Sequence, residues 1–142
     1  MIRSHILVCG GPGCHSSGSA EIVNKMQEEL VAVGLQDEVQ VVQTGCFGLC
    51  ALGPVVIVYP EGAFYNRITP EDCIEIVDEH LLKGRNVKRL LFQETLDGDN
   101  IKALNETCFY NKQVRIALRN CGVINPDCID EYIGTDGYMA LA

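Results

Sequence analysis

The first half of the chain alternates short β-branched runs with stretches of helical periodicity. Apolar runs at residues 5–8, 39–42 and 55–59 are too short for helices and rich in Val and Ile, so they predict three strands. A turn at 60–62 is followed by residues 63–67, which predict a return strand and hence a β-hairpin. The pattern therefore indicates a small sheet.

A first helix is predicted between the first two strands. Residues 20–31 follow a serine at 16 or 17 that can serve as N-cap, and Gly34 is placed to end the helix. Its apolar stripe consists of Ile22, Val23, Met26, Leu30 and Val31. This spacing is typical of a helix packed on a sheet.

A second helix is predicted after the hairpin. Thr69 is the expected N-cap, Pro70 occupies the first helical position, and Gly84 ends the helix. The expected core stripe is Cys73, Ile74, Ile76, Val77, His80 and Leu81.

The order strand, helix, strand, hairpin, helix predicts an α/β fold of the thioredoxin-like type with a short helical C-terminal extension. The strand-helix-strand unit should be a right-handed parallel crossover, with the hairpin extending the same sheet and the helices covering it. Because the first two strands then point the same way, the loops that follow them should meet at one edge of the sheet.

The second half of the chain has a weaker pattern. We expect a thioredoxin-like domain over residues 1–84, a linker or arm over 85–108, and a further segment over 109–142. In that segment, residues 111–122 and 126–133 predict two short helices with too little apolar surface to fold well alone.

Composition narrows the class of function. A chain of 142 residues with 47% hydrophobic residues can form one domain core, and its net charge of −8 argues against nucleic-acid and anionic-membrane partners. The first apolar run is far too short for a signal peptide or a membrane span, so we expect a cytoplasmic protein without membrane insertion. Thiols stay reduced there, so the eight cysteines are expected to be metal ligands or structural thiols.

Two Gly-rich cysteine motifs follow the first two predicted strands. Cys9 and Cys14 stand in the sequence CGGPGC, and Cys46 and Cys50 stand in TGCFGLCALGP over residues 44–54. Soft thiolates match iron, and four of them supply two ligands to each iron of a [2Fe-2S] cluster. Glycine lets the backbone approach the sulfurs and donate N–H hydrogen bonds. We therefore predict a [2Fe-2S] site on Cys9, Cys14, Cys46 and Cys50.

Other interpretations of the motifs fit less well. A structural zinc site uses the same ligands, but its usual C-x2-C spacing is absent from both pairs. Dithiol exchange requires C-x-x-C, which neither motif has. A phosphate-binding loop requires a following Lys-Ser or Lys-Thr, and Cys14-His15-Ser16 stands there instead. Cys73 lies on a helical apolar stripe and is expected to be a core residue, while Cys108, Cys121 and Cys128 are expected to be structural thiols.

With these motifs placed, the first 85 or so residues resemble the thioredoxin-like [2Fe-2S] ferredoxin domains of the 24-kDa type subunit of NADH:quinone oxidoreductase and of NADH-linked hydrogenases. Residues 109–122 and 129–133 are similar to the start of the flavoprotein core of the NADH-binding, 51-kDa type subunit. The combination resembles the beta subunit of electron-bifurcating [FeFe] hydrogenases. In that family, FMN, NADH and a [4Fe-4S] cluster bind further along, so we expect those sites only in a C-terminal part beyond this sequence.

The resemblance implies one-electron transfer through the cluster, as the N-terminal module of an NADH-linked oxidoreductase or hydrogenase subunit. The segment by itself would have no substrate to turn over. The expected partners are other subunits of such a complex, and a homo-oligomer is also possible. The alternative is a zinc- or cluster-stabilised structural or assembly module without redox cycling.

Overall fold

The computed structural model describes residues 2–92, 112–117, 119–120 and 123–141. The strands are β1 (Ser4–Cys9), β2 (Val39–Thr44), β3 (Val56–Tyr59) and β4 (Ala63–Tyr65). The helices are α1 (Pro12–Ser16), α2 (Ser19–Ala32), α3 (Asp72–Glu75), which continues as a π-helix over Ile76–Leu82, and α4 (Ile129–Gly134). Short 3-10 turns form at Cys50–Leu52 and Lys88–Leu90.

The four strands form one mixed sheet in the order β2-β1-β3-β4. β1 and β2 are parallel with Cys9 opposite Thr44, whereas β1 with β3 and β3 with β4 are antiparallel. The predicted α/β, thioredoxin-like arrangement is confirmed. Its crossover brings the ends of β1 and β2, and thus the two cysteine motifs, to the same edge of the sheet.

Helix α2 packs on one face of the sheet through Ile22, Met26 and Leu30, each at most 2% exposed. The expected burial of Val31 is wrong, since 63% of it is exposed. The start of the helix also differs: Gly18, with a left-handed backbone, occupies the N-cap position. The hydroxyls of the two serines before it instead donate to carbonyls of α1.

The helix after β4 buries the expected stripe except for Ile74, which is 50% exposed at the edge of that stripe. Its cap also differs from the prediction. The Asp72 carboxylate accepts hydrogen bonds from the amide and the hydroxyl of Thr69, at 2.8 and 2.9 Å. Because burial opposes ionisation but the Thr69 donors and the Arg89 guanidinium favour it, the pKa of Asp72 is lowered.

The residues after Gly84 pack against the sheet and α3. Val87, Leu90 and Leu91 are buried, and Leu91 forms an antiparallel bridge with Tyr65. The packed part of the chain therefore extends to Phe92, although the pattern placed a linker from residue 85 onward.

Farther along, the predicted helix over 111–122 is wrong where it can be compared, because residues 112–117 form turns and irregular backbone. The helix expected over 126–133 is observed as α4, three residues later at its start. Cys108 and Cys121 lie outside the described residues. In the part of the chain that the structure describes, no helix has both the length and the apolar character needed to cross a bilayer.

Candidate iron-sulfur site

The two cysteine motifs leave the sheet side by side. Cys9 is the last residue of β1, and its backbone N–H donates to the carbonyl of Val55 at 3.0 Å, just before β3. The next amide, that of Gly10, donates to the carbonyl of Thr44, the last residue of β2, at 2.9 Å. The first motif is thus fixed between both neighbouring strands.

The sequence suggested that the first motif is a loop, but part of it is helical. Pro12 begins α1, where its fixed φ is compatible with a first helical position, and Cys14 lies inside this short helix. The Cys9 and Cys14 side chains are only 2% and 1% exposed. His15 is exposed in the last turn of α1.

The second motif is a loop with exposed thiols. The Cys46 and Cys50 sulfurs lie 3.8 Å apart, close to the ~3.8 Å that two sulfurs take on one tetrahedral metal ion with metal–sulfur bonds near 2.3 Å. Gly48 adopts φ 82° and donates its N–H to Cys46 Sγ at 3.2 Å. The side chain of Phe47 is buried and anchors the loop among the core residues under the site.

The two motifs touch each other through glycines. A Cβ at Gly11 would lie 2.9 Å from Cys46 Sγ, closer than real Cβ contacts, and a Cβ at Gly13 would lie 3.6 Å from Cys50 Sγ. The backbone of the first motif therefore packs directly on both thiols of the second.

A third glycine, Gly53, joins the end of the second motif to Cys14 of the first. A Cβ at Gly53 would be 2.8 Å from Cys14 Sγ, and the Gly53 amide donates to the Cys50 carbonyl at 3.2 Å. Neither Gly53 nor Val55 was predicted as a contact of the cysteine ligands. The Gly-Pro pair that ends the second motif was the available signal.

The pKa values of the Cys14 and Cys50 thiols are raised. Burial raises the pKa of Cys14 to about 11, and a hydrogen bond with Cys9 and the neighbouring charges of Cys9 and Cys50 act in the same direction. The pKa of Cys50 is raised chiefly by its hydrogen bond with Cys46 and by the charge there. A cationic group bound among these sulfurs would displace the protons. Four soft donors, with glycines where side chains would collide, fit an iron-sulfur cluster.

The other described cysteines stand apart from this site. Cys73 is fully buried in α3 and its pKa is raised to about 12 by burial, so it is the core residue that the sequence predicted. Cys128 is half-buried at the start of α4. Within the described ranges, no three His, Cys, Asp or Glu side chains lie close enough to hold a single metal ion.

The fold and the site define a thioredoxin-like domain with four thiols gathered at the edge of its sheet. The sequence profile of the thioredoxin-like [2Fe-2S] ferredoxin family matches residues 1–81. The chain belongs to this family. It binds a [2Fe-2S] cluster and is an electron-transfer protein of the ferredoxin type.

For two relatives, the match with this chain spans most of the relative's own length. A 2Fe-2S ferredoxin of Clostridium pasteurianum is 51% identical over 96 residues, which is 62% of this chain and 94% of that protein. The crystal structure of the thioredoxin-like [2Fe-2S] ferredoxin from Aquifex aeolicus aligns with a TM-score of 0.59 and 35% identity, over 66% of this chain and all of that one. A third match is local: 31 residues are 61% identical to the NADP-reducing hydrogenase subunit HndC of Solidesulfovibrio fructosivorans, 22% of this chain and 6% of that subunit.

Proposed function

We propose that Cys9 and Cys14 bind one iron of the cluster and that Cys46 and Cys50 bind the other. The observation that carries this assignment is the packing of glycine backbone against the thiols. Gly11 lies against Cys46 Sγ. Contacts of this kind join the two motifs into one site, with the described Cys73 and Cys128 elsewhere.

When bound, the cluster supplies reversible one-electron oxidation and reduction. The Cys9 and Cys14 thiols are buried, and the Cys46 and Cys50 thiols are exposed at the surface. The Gly48 amide, which donates to Cys46 Sγ, stabilises negative charge on that sulfur and thereby raises the reduction potential. A partner redox centre can approach the cluster from the side of Cys46 and Cys50.

We further propose that the chain acts within a cytoplasmic NADH-linked oxidoreductase or hydrogenase, as the N-terminal module of a subunit. The local identity with a hydrogenase subunit supports this context. The partners would be other subunits of the complex, and the net charge of −8 favours partners with a basic docking surface.

The cluster and its redox function are tested by anaerobic EPR before and after dithionite, with iron and zinc counted on the same sample. We expect a rhombic signal near g = 2 on reduction and about two irons per chain. About one zinc per chain without a signal would instead establish a structural zinc domain. A cluster that resists reversible reduction would establish a structural role without redox cycling.

The ligands are tested by single cysteine variants. Cys46→Ser should abolish the cluster or badly destabilise it, whereas Cys73→Ser should keep the visible spectrum, because Cys73 lies in the core. Equal loss of the spectrum in both variants would show that the ligand assignment is wrong.

The NADH-linked context needs a separate measurement. The loaded chain is mixed anaerobically with NADH or NADPH, with and without a purified flavoprotein subunit of a pyridine-nucleotide-linked hydrogenase, and its visible absorbance is followed. We expect bleaching of the cluster only when the flavoprotein is present. The absence of any reduction by the flavoprotein would refute this context and leave the electron-transfer assignment intact.

A further inference from the structure

The turn after β4 holds the segment that ends the second cysteine motif. The backbone N–H of Arg67 donates to the Leu52 carbonyl at 3.0 Å, and that of Ile68 donates to the Pro54 carbonyl at 3.2 Å. Ile68 is itself 2% exposed and packs into the core beside α3. The segment 52–55 is therefore attached to the body of the domain through two consecutive amides.

This segment also contacts three of the four proposed ligand residues. The Gly53 amide donates to the Cys50 carbonyl, and Gly53 lies against Cys14 Sγ. The Val55 carbonyl accepts the N–H of Cys9. A displacement of residues 52–55 would therefore be transmitted to both cysteine motifs together.

Arg67 has an unusual backbone for its type. Its φ is +51°, in the left-handed region that side chains with a Cβ adopt only at a cost. The side chain is exposed, and the ion pairs found among the described residues do not include it. The left-handed turn directs the two amides of residues 67 and 68 toward segment 52–55, so the backbone of Arg67 carries the contact.

We propose that the left-handed conformation of Arg67 positions segment 52–55 and so sets the spacing of the thiols that hold the cluster. Arg67 is a positioning residue whose backbone acts and whose guanidinium does not. The inference rests on the proposed function, since it concerns how the proposed ligands are held.

The test compares substitutions that differ in their tolerance of positive φ. Arg67→Gly keeps the left-handed turn, whereas Arg67→Val, with a β-branched side chain, strongly disfavours it. Arg85→Val makes the same substitution at an exposed arginine that is not in the left-handed region, and it also removes the exposed ion pair of Arg85 with Glu79. If Arg67→Val fails to fold, as judged by circular dichroism, Arg67→Thr provides the same comparison, because threonine is also β-branched but carries a polar group.

Two measurements are compared among these variants and the wild type. In the loaded protein, Arg67→Val should shift the midpoint potential and the EPR g-values, while Arg67→Gly and Arg85→Val should match the wild type. In the reduced protein without cluster, alkylation of Cys14 measured by peptide mapping should be several-fold faster for Arg67→Val only, because β-branching adds to the cost of positive φ that the Arg67 side chain already bears.

Each other outcome decides the question. If Arg67→Gly and Arg67→Val change both readouts equally, the side chain acts and the proposal is overturned. If Arg67→Val and Arg67→Thr leave both readouts unchanged, segment 52–55 does not depend on this turn. Absence of an EPR signal in the wild type would refute the proposed function alone, because the alkylation measurement needs no cluster.

Discussion

Replacing Gly53 with alanine measures how tightly the end of the second motif packs on Cys14. Gly53 has φ −66° and ψ 156°, which any residue adopts, so the added methyl acts through contact alone. That methyl would lie 2.8 Å from Cys14 Sγ, whereas ordinary contacts begin at 3.4 Å. The sulfur or the Gly53 backbone must therefore move by about 0.6 Å in a close-packed site.

This displacement has two measurable consequences. Forcing an extra carbon into a packed interior costs about 1–3 kcal/mol, and the loss of glycine's unfolded-state freedom returns about 0.4–1 kcal/mol. The free energy of unfolding should therefore fall by roughly 1–2 kcal/mol. Metal sites tolerate ligand displacements of about 0.2 Å, so iron content after reconstitution should fall as well.

The assay is urea denaturation of the reduced protein without cluster, followed by iron counting after anaerobic reconstitution. Gly13→Ala is the matched control, because its Cβ would meet the Cys50 side chain at 3.4 Å and Gly13 lies in α1, where alanine is favoured. Wild-type stability and iron content in Gly53→Ala would refute the inferred contact between Gly53 and Cys14.

Two further predictions concern a buried polar chain beneath the hairpin. The Val87 amide donates to the Tyr65 hydroxyl at 3.2 Å, and that hydroxyl lies 2.8 Å from His80 Nδ1. Tyr65→Phe leaves both groups unpaired and should lower the free energy of unfolding by roughly 1–3 kcal/mol in urea denaturation; an unchanged midpoint would contradict this. Burial lowers the pKa of His80 below its ordinary 6.5, so the unfolded chain binds a proton at a higher pH than the folded one. The contribution of neutral His80 should thus be fully present above pH 6.5 and decrease as the pH falls from 6.5 toward the folded-state pKa. His80→Asn, which retains an acceptor near Nδ1, should make the free energy of unfolding depend less on pH when denaturation is measured at pH 5 and 7.5. An equal change in the free energy of unfolding between these two pH values in wild type and variant would count against this.

The sheet and the gathering of the cysteine motifs followed from short-range patterns. The runs that became β1, β2 and β3 are β-branched and bounded by turn residues, and a parallel crossover places the ends of its two strands together. The features that the sequence patterns did not predict depend on tertiary contacts. α1 has five residues, too few for a periodic signal, and the burial of Val87, Leu90 and Leu91 results from scattered apolar side chains that meet the hairpin.

The unequal exposure of the four thiols likewise depends on strand order, which local patterns do not reveal. β1 is an inner strand, so Cys9 at its end lies between Thr44 of β2 and Val55 next to β3, and it is buried. β2 is an edge strand, so the loop that follows it has a neighbour on one side only, and Cys46 and Cys50 remain exposed. With Cys46 and Cys50 as proposed ligands, this order directs their side of the cluster toward solvent. Charge at a docked partner should therefore perturb that iron more than the one held by Cys9 and Cys14.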